Sequence, residues 1–124
     1  MINVNELRKG NLLCQVVGGN IHSIEGFLGE TIYLNGGFRS NINSGWQGIA
    51  ITEDLILENC GFVKNWEDGD EYPTYTFGDF ICDNKFQPID VGFHILKHRI
   101  EFIHDLQNAY YYLNNKTELQ IKPL

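Results

Sequence analysis

Glycine punctuates the first third of this chain so closely that only short strands fit between the turns. Asn11 to Val17 is apolar and β-branched, and Gly18-Gly19-Asn20 is a hairpin turn signal. Ile21 to Phe27 resumes the strand, with Ile21, Ser23 and Glu25 alternating imperfectly against His22, Ile24 and Gly26. Gly29 marks another turn, and Thr31 to Leu34 is a third strand. Three strands joined in this way form a meander, which fits a small curled, SH3-like barrel or half-barrel.

The segment Asn35 to Gly48, NGGFRSNINSGWQG, sets one arginine and one tryptophan among glycine, serine and asparagine. No hydrophobic periodicity demands either side chain, so the segment reads as a long loop, and long loops often carry function. Arg39 supplies a planar fork for phosphate, and Trp46 offers a stacking face. The backbone N–H groups of Gly36 and Gly37 can approach an anion closely. Together they would grip a nucleotide-type anion, with Arg8, Lys9, Lys97 or Arg99 adding charge. For the segment taken alone the favoured reading is a self-packed loop, in which Trp46 folds down as a hydrophobic lid and Arg39 pairs with an acid.

Beyond that segment the pattern mixes strands with two helices. Ile49-Ala50-Ile51 reads as a short strand. Thr52 is an N-cap, with Glu53 and Asp54 in the first turn of a helix over Glu53–Cys60, and Gly61 stops it. Phe62 to Lys64 leaves as a strand. Tyr72 to Phe77 is another, which Pro73 assigns to a sheet edge. Phe80 to Cys82 returns, and Phe86–Ile89, Phe93–Leu96 and Leu119–Ile121 are further short strand candidates. Phe102, Leu106, Ala109, Tyr110 and Leu113 form one apolar stripe at helical spacing, leaving His104, Asp105, Asn108 and Asn115 for water. Asn114-Asn115 ends that helix. The expected fold is α+β: an antiparallel, partly barrel-like (SH3-like) sheet with one short helix and a C-terminal amphipathic helix. The 124 residues suit one domain, 1–124.

Composition narrows the function. The net charge is −7, from 16 acidic and 9 basic residues, which argues against duplex nucleic acid as a partner. Three distant cysteines, Cys14, Cys60 and Cys82, without a C-x-x-C pair, read as packed thiols in a reducing cytoplasm. No apolar leader and no membrane span are legible, and no cofactor is expected.

Three segments resemble a family of small proteins of bacteroidete bacteria and their phages. NVNELRKGNLL at Asn3–Leu13 is similar to the family's N-x-x-E-L-R-x-G-N start. ITEDLILENCGF at Ile51–Phe62 resembles its L-T-E-x-x-L-x-x-x-G-F block, and IEFIHDLQNAYYYL at Ile100–Leu113 its H-x-L-Q-N helix. The resemblance implies a compact strand-rich domain closed by a C-terminal helix, in a phage or mobile-element setting. It implies no activity, and the Gly-Arg-Trp segment departs from its pattern.

Other constellations are weaker. His94, His98 and His104 with Asp105 suggest a metal, but a change from strand to helix between His98 and His104 would scatter them, so no metal site is expected. His104, Gln107 and Asn108 read instead as hydrogen-bond partners for neighbouring backbone. Cys60 paired with a histidine would be a nucleophile, but it sits at a helix C-terminus, where the dipole disfavours a thiolate. Glu67, Asp68, Asp70 and Glu71 read as a solvated turn, lacking the order of a calcium loop. Gly18-Gly19 and Gly36-Gly37 lack the contexts of the two common nucleotide-binding fingerprints. Tyr111 or Tyr112 emerges from the helix stripe, which suggests a homo-oligomeric interface. The leading expectation is a non-enzymatic phage or mobile-element binding protein that sequesters a small anionic nucleotide signal used in defence. The alternative is a protein-interaction module that inhibits or adapts a host protein.

Overall fold

A computed structural model describes residues 5, 7–43, 45–89 and 99–124. Within these the fold is α+β, with eight strands in two antiparallel sheets and two helices. The chain packs as two compact units, one of residues 1–50 and 102–108, the other of residues 51–101 and 109–124.

The first unit holds a five-stranded sheet. Its strands are β1 (Leu12–Gln15), β2 (Ile21–Leu28), β3 (Thr31–Leu34), β4 (Phe38–Asn41) and β5 (Trp46–Gln47), in the order β4-β3-β2-β1-β5. Segment 35–48 is therefore not one long loop, because two strands, Phe38–Asn41 and Trp46–Gln47, interrupt it. Phe38–Asn41 lacks an apolar alternation of its own, but β3 offers it a free edge, and partners more than propensity decide short strands. Asn11–Val17 shortens to β1, and Val16 and Val17 pass into the exposed turn.

The sheet curls without closing. Strands at ordinary spacing would set β4 and β5 about 19 Å apart in a flat five-stranded sheet. Four residues join Asn41 to Trp46, and Trp46 Nε1 donates to Ser40 Oγ at 3.0 Å, so the two edges approach within side-chain reach. No ladder joins them, and the seam between them stays open. A bulge in β2, between Ile24 and Gly26, helps the bend. It leaves Glu25 as the extra residue, which accounts for the imperfect alternation of that strand.

Register separates the two faces. Directly opposed residues share a face, so Leu13 groups with His22, Gln15 with Trp46, Leu34 with Phe38 and Ile32 with Ser40. This is the inner face, where Leu13, Ile24, Ile32, Leu34, Ile42 and Trp46 form one buried cluster with Leu7 packed against it.

The start of α2 (Ile103–Leu113) belongs to the same unit. Asp105 Oδ2 accepts from the Phe102 N–H at 2.9 Å, a carboxylate capping the helix entry. His104 and Asp105 are buried rather than facing water. Gln107 bonds backbone that neighbours it in space, while Asn108 also meets side chains. Gln107 accepts from Leu12 N at 2.9 Å and donates to Gly10 O at 2.9 Å. Asn108 Oδ1 accepts from Asn11 Nδ2 at 2.8 Å and from Arg8 Nε at 3.2 Å. The L-R-K-G-N and H-D-L-Q-N strings thus interlock.

The second unit contains α1 (Glu53–Glu58) and the sheet β6 (Val63–Asn65), β7 (Thr74–Phe77) and β8 (Phe80–Cys82), ordered β6-β7-β8. Thr52 caps α1, its hydroxyl accepting from Leu55 N at 3.2 Å, and Gly61 follows the helix with a φ of 78°. β7 is the central strand, not an edge: Pro73 precedes it, so the missing N–H never enters the ladder. Ile49–Ile51 contributes only an isolated bridge from Ala50 to Phe102, and Phe86–Ile89 only one from Pro88 to Cys82. Gln87 takes the place of strand pairing there, accepting from Ile100 N at 3.0 Å and donating to Ile100 O at 2.7 Å. Leu119–Ile121 forms no strand, and Leu119 is buried. The Phe93–Leu96 candidate lies outside the described residues.

Candidate functional site

One end of the inner face of the five-stranded sheet is left unfilled. Leu13, Ile24, Ile32 and Ile42 fill the core, and a cleft of about 530 Å³ opens beside it. It is lined by Gln15, Asn20, Ile21, His22, Leu34, Phe38, Arg39, Ser40 and Trp46. That volume suits a small-molecule site, and barrel mouths are a usual place for one.

Trp46 is 7% exposed, and its indole N–H is held by Ser40. The indole is therefore a wall of the cleft, not a free flap. His22 makes T-shaped contacts with both neighbouring rings, its centroid 5.7 Å from that of Trp46 and 5.4 Å from that of Phe38. Phe38 is 60% exposed and presents the open aromatic surface. Arg39 borders the cleft from the edge strand. Its register opposite Tyr33 starts its side chain on the outer face, away from Phe38 and Ser40. Among the described residues no carboxylate pairs with Arg39.

Gly36 and Gly37 form the β3–β4 turn with φ of 83° and 82°, which glycine adopts freely, and they do not line the cleft. Sequence reasoning missed His22, Phe38, Gln15, Asn20 and Ser40. His22 was within reach, since it lies two residues from Ile24 on the same strand face. Phe38 and Ser40 needed the identification of β4.

Tyr111 and Tyr112 lie in the second unit, near the end of α2, with ring centroids 5.3 Å apart. Tyr112 is 61% exposed and Tyr111 half-buried. The acidic run closes on itself: Asp70 Oδ2 accepts from Glu67 N at 2.9 Å, and all four carboxylate residues are exposed. Among the described residues no three His, Cys, Asp or Glu side chains group to hold a metal. His94, His98 and Lys97 lie outside those residues. No helix among them is long and apolar enough to cross a membrane.

In the second unit Glu53 holds two partners. It accepts from Tyr75 Oη at 2.7 Å and pairs with Lys64 at 2.6 Å. The hydrogen bond with Lys64 first, then that with Tyr75, holds its carboxyl below the ordinary value. Burial, then the bond to Glu53, pushes the Tyr75 hydroxyl up to about 12.

Burial pushes the Cys60 thiol up to about 11 and, with Asp83 beside it, the Cys82 thiol up to about 12. Both are inert at neutral pH, as packed thiols should be. Cys14 is only half-buried. A disulfide-exchange reagent added to native protein at pH 8 is expected to titrate Cys14 alone, with Cys60 and Cys82 reacting only after denaturation. Rapid reaction of all three would contradict the burial.

No protein-family model matches the chain, and no curated protein or solved structure matches it either.

Proposed function

We propose that this protein is a non-enzymatic binding protein that holds a small anionic, nucleotide-type ligand in the cleft of the five-stranded sheet. The charge of the lining carries this reading. The chain has 16 acidic and 9 basic residues, yet the cleft is lined by Arg39 and no carboxylate. A cationic rim on low-dielectric walls concentrates anions. Phe38 supplies a face for a planar base, and Gln15, Asn20, Ser40 and His22 supply hydrogen-bonding groups. A phage or mobile-element accessory protein that sequesters a nucleotide signal fits both this chemistry and the resemblance of the Asn3–Leu13 and Ile100–Leu113 segments.

Calorimetry with a panel of cyclic and linear nucleotides tests the proposal. Heat is expected from at least one of them, and Arg39→Ala should weaken that binding by about 10- to 100-fold, the worth of one charge-assisted contact. No heat from any nucleotide, with folded protein, would overturn the reading.

One observation favours a second reading, a module that binds and inhibits a host protein. Val63, Trp66 and Tyr72, all on the β6–β7 hairpin, are each more than half exposed. A stoichiometric partner captured from host lysate that survives both Arg39→Ala and Trp46→Ala would favour it over the nucleotide reading. Self-association through Tyr111 and Tyr112 belongs to this same class, and a strict monomer in light scattering at high concentration would remove it.

A further inference from the structure

We infer that His22 is the residue that couples anion binding in this cleft to protonation, an inference that rests on the nucleotide-site reading above. The geometry begins at Asn35. Its Oδ1 accepts from the Ser23 backbone N–H at 3.1 Å, which identifies that atom as the oxygen of the amide. The same oxygen lies 3.3 Å from His22 Nδ1. An amide oxygen can only accept, so Nδ1 carries a hydrogen. In the neutral ring Nε2 is then the nitrogen with the lone pair. No described residue bonds Nε2, and the ring lines the cleft.

A neutral ring in this tautomer offers an acceptor, which a phosphate oxygen cannot use. Protonation turns Nε2 into a charged donor, which a phosphate oxygen accepts well. The aromatic rings of Phe38 and Trp46 that flank His22 tolerate a cation. Among the groups lining the cleft, β1 contributes Gln15, β4 contributes Phe38, Arg39 and Ser40, and β5 contributes Trp46, so Arg39 at the rim is the charged side chain that shares the cleft with His22. A bound anion attracts the charged ring, so anion binding and protonation of His22 favour each other. The ligand class is thus narrowed to a planar aromatic group carrying a phosphoester anion, taken up more tightly as the pH falls.

The test uses cyclic AMP, a phosphodiester whose own charge is constant between pH 5.5 and 8.0, the interval in which histidine side chains commonly change charge. Binding is expected to be about tenfold tighter at pH 5.5 than at pH 8.0, the worth of one added charged contact. Adenosine, which lacks the anion, should show no such trend, and His22→Gln should bind cyclic AMP with a flat pH profile. Nitrogen-15 spectra of the unmutated protein give a readout that needs no variant. They should show the Nδ1–H tautomer of His22 at pH 8.0 and both ring nitrogens protonated in the cyclic AMP complex at pH 5.5. PH-independent binding by the unmutated protein, or a trend that persists in His22→Gln, would overturn the coupling and leave the nucleotide site standing. Absence of binding at both pH values would overturn the coupling, and absence across the whole panel would remove the site as well.

Discussion

Gln107→Ala is expected to destabilise the protein by about 2–4 kcal/mol, because it orphans two backbone groups at once. The Gln107 amide bonds both the Leu12 N–H and the Gly10 carbonyl, each at 2.9 Å. In effect it supplies the missing rung of a ladder at the start of β1. Gln107 is 4% exposed, so water does not replace it easily. Gln107→Glu should also destabilise, since a carboxylate can accept from Leu12 but cannot donate to Gly10. Urea unfolding followed by far-ultraviolet circular dichroism measures both. A loss under about 1 kcal/mol for Gln107→Ala would show that the amide is not a structural rung.

Gly48→Ala is expected to destabilise by about 2–3 kcal/mol through overpacking. A Cβ at Gly48 would meet Phe102 Cγ at 2.5 Å, Cδ1 at 2.7 Å and Cβ at 2.9 Å. Two of these are ring atoms and the third is the Cβ fixed to the backbone, so rotating the side chain does not clear them all. Moving Phe102 itself is opposed by the Ile103 N–H bond to Ile49 O at 2.8 Å and by the Asp105 cap. The sign is informative. Where a glycine has room and an ordinary φ, alanine usually stabilises slightly by restricting the unfolded chain. Thermal unfolding of Gly48→Ala, of Phe102→Ala and of the pair gives the coupling directly. The double variant should recover part of the Gly48→Ala loss. Additive losses would place the cause elsewhere.

Legibility followed the range of the interactions. Thr31–Leu34 and Phe80–Cys82 were readable because apolar alternation and glycine turns are local signals. The Thr52 cap was readable for the same reason. β4 and β5 were not, since FRSN and WQ acquire strand structure from the free edges of β3 and β1, which no local window contains. The burial of His104 and Asp105 was missed because helical periodicity sorts residues by polarity. At the start of α2 a carboxylate cap and buried amide bonds make polar side chains interior. Gln87 and Gln107 illustrate the same limit: an amide side chain that imitates a strand looks like any other glutamine in a sequence.

The cleft divided along the same line. Arg39 and Trp46 stood out by composition, and both line it. Their roles follow from register. The indole is a packed wall bonded to Ser40, the open aromatic face is that of Phe38, and His22 stands between the two rings.

Amide and indole spectra of nitrogen-15-labelled protein, recorded while cyclic AMP is added, test the ligand site most directly. The Trp46 indole N–H and the backbone amides of His22, Phe38 and Arg39 should move together along one saturating curve, with the exposed Trp66 indole unmoved as an internal reference. Unchanged signals at those four residues, or shifts centred on Trp66 and Tyr72, would contradict a nucleotide site in the five-stranded sheet.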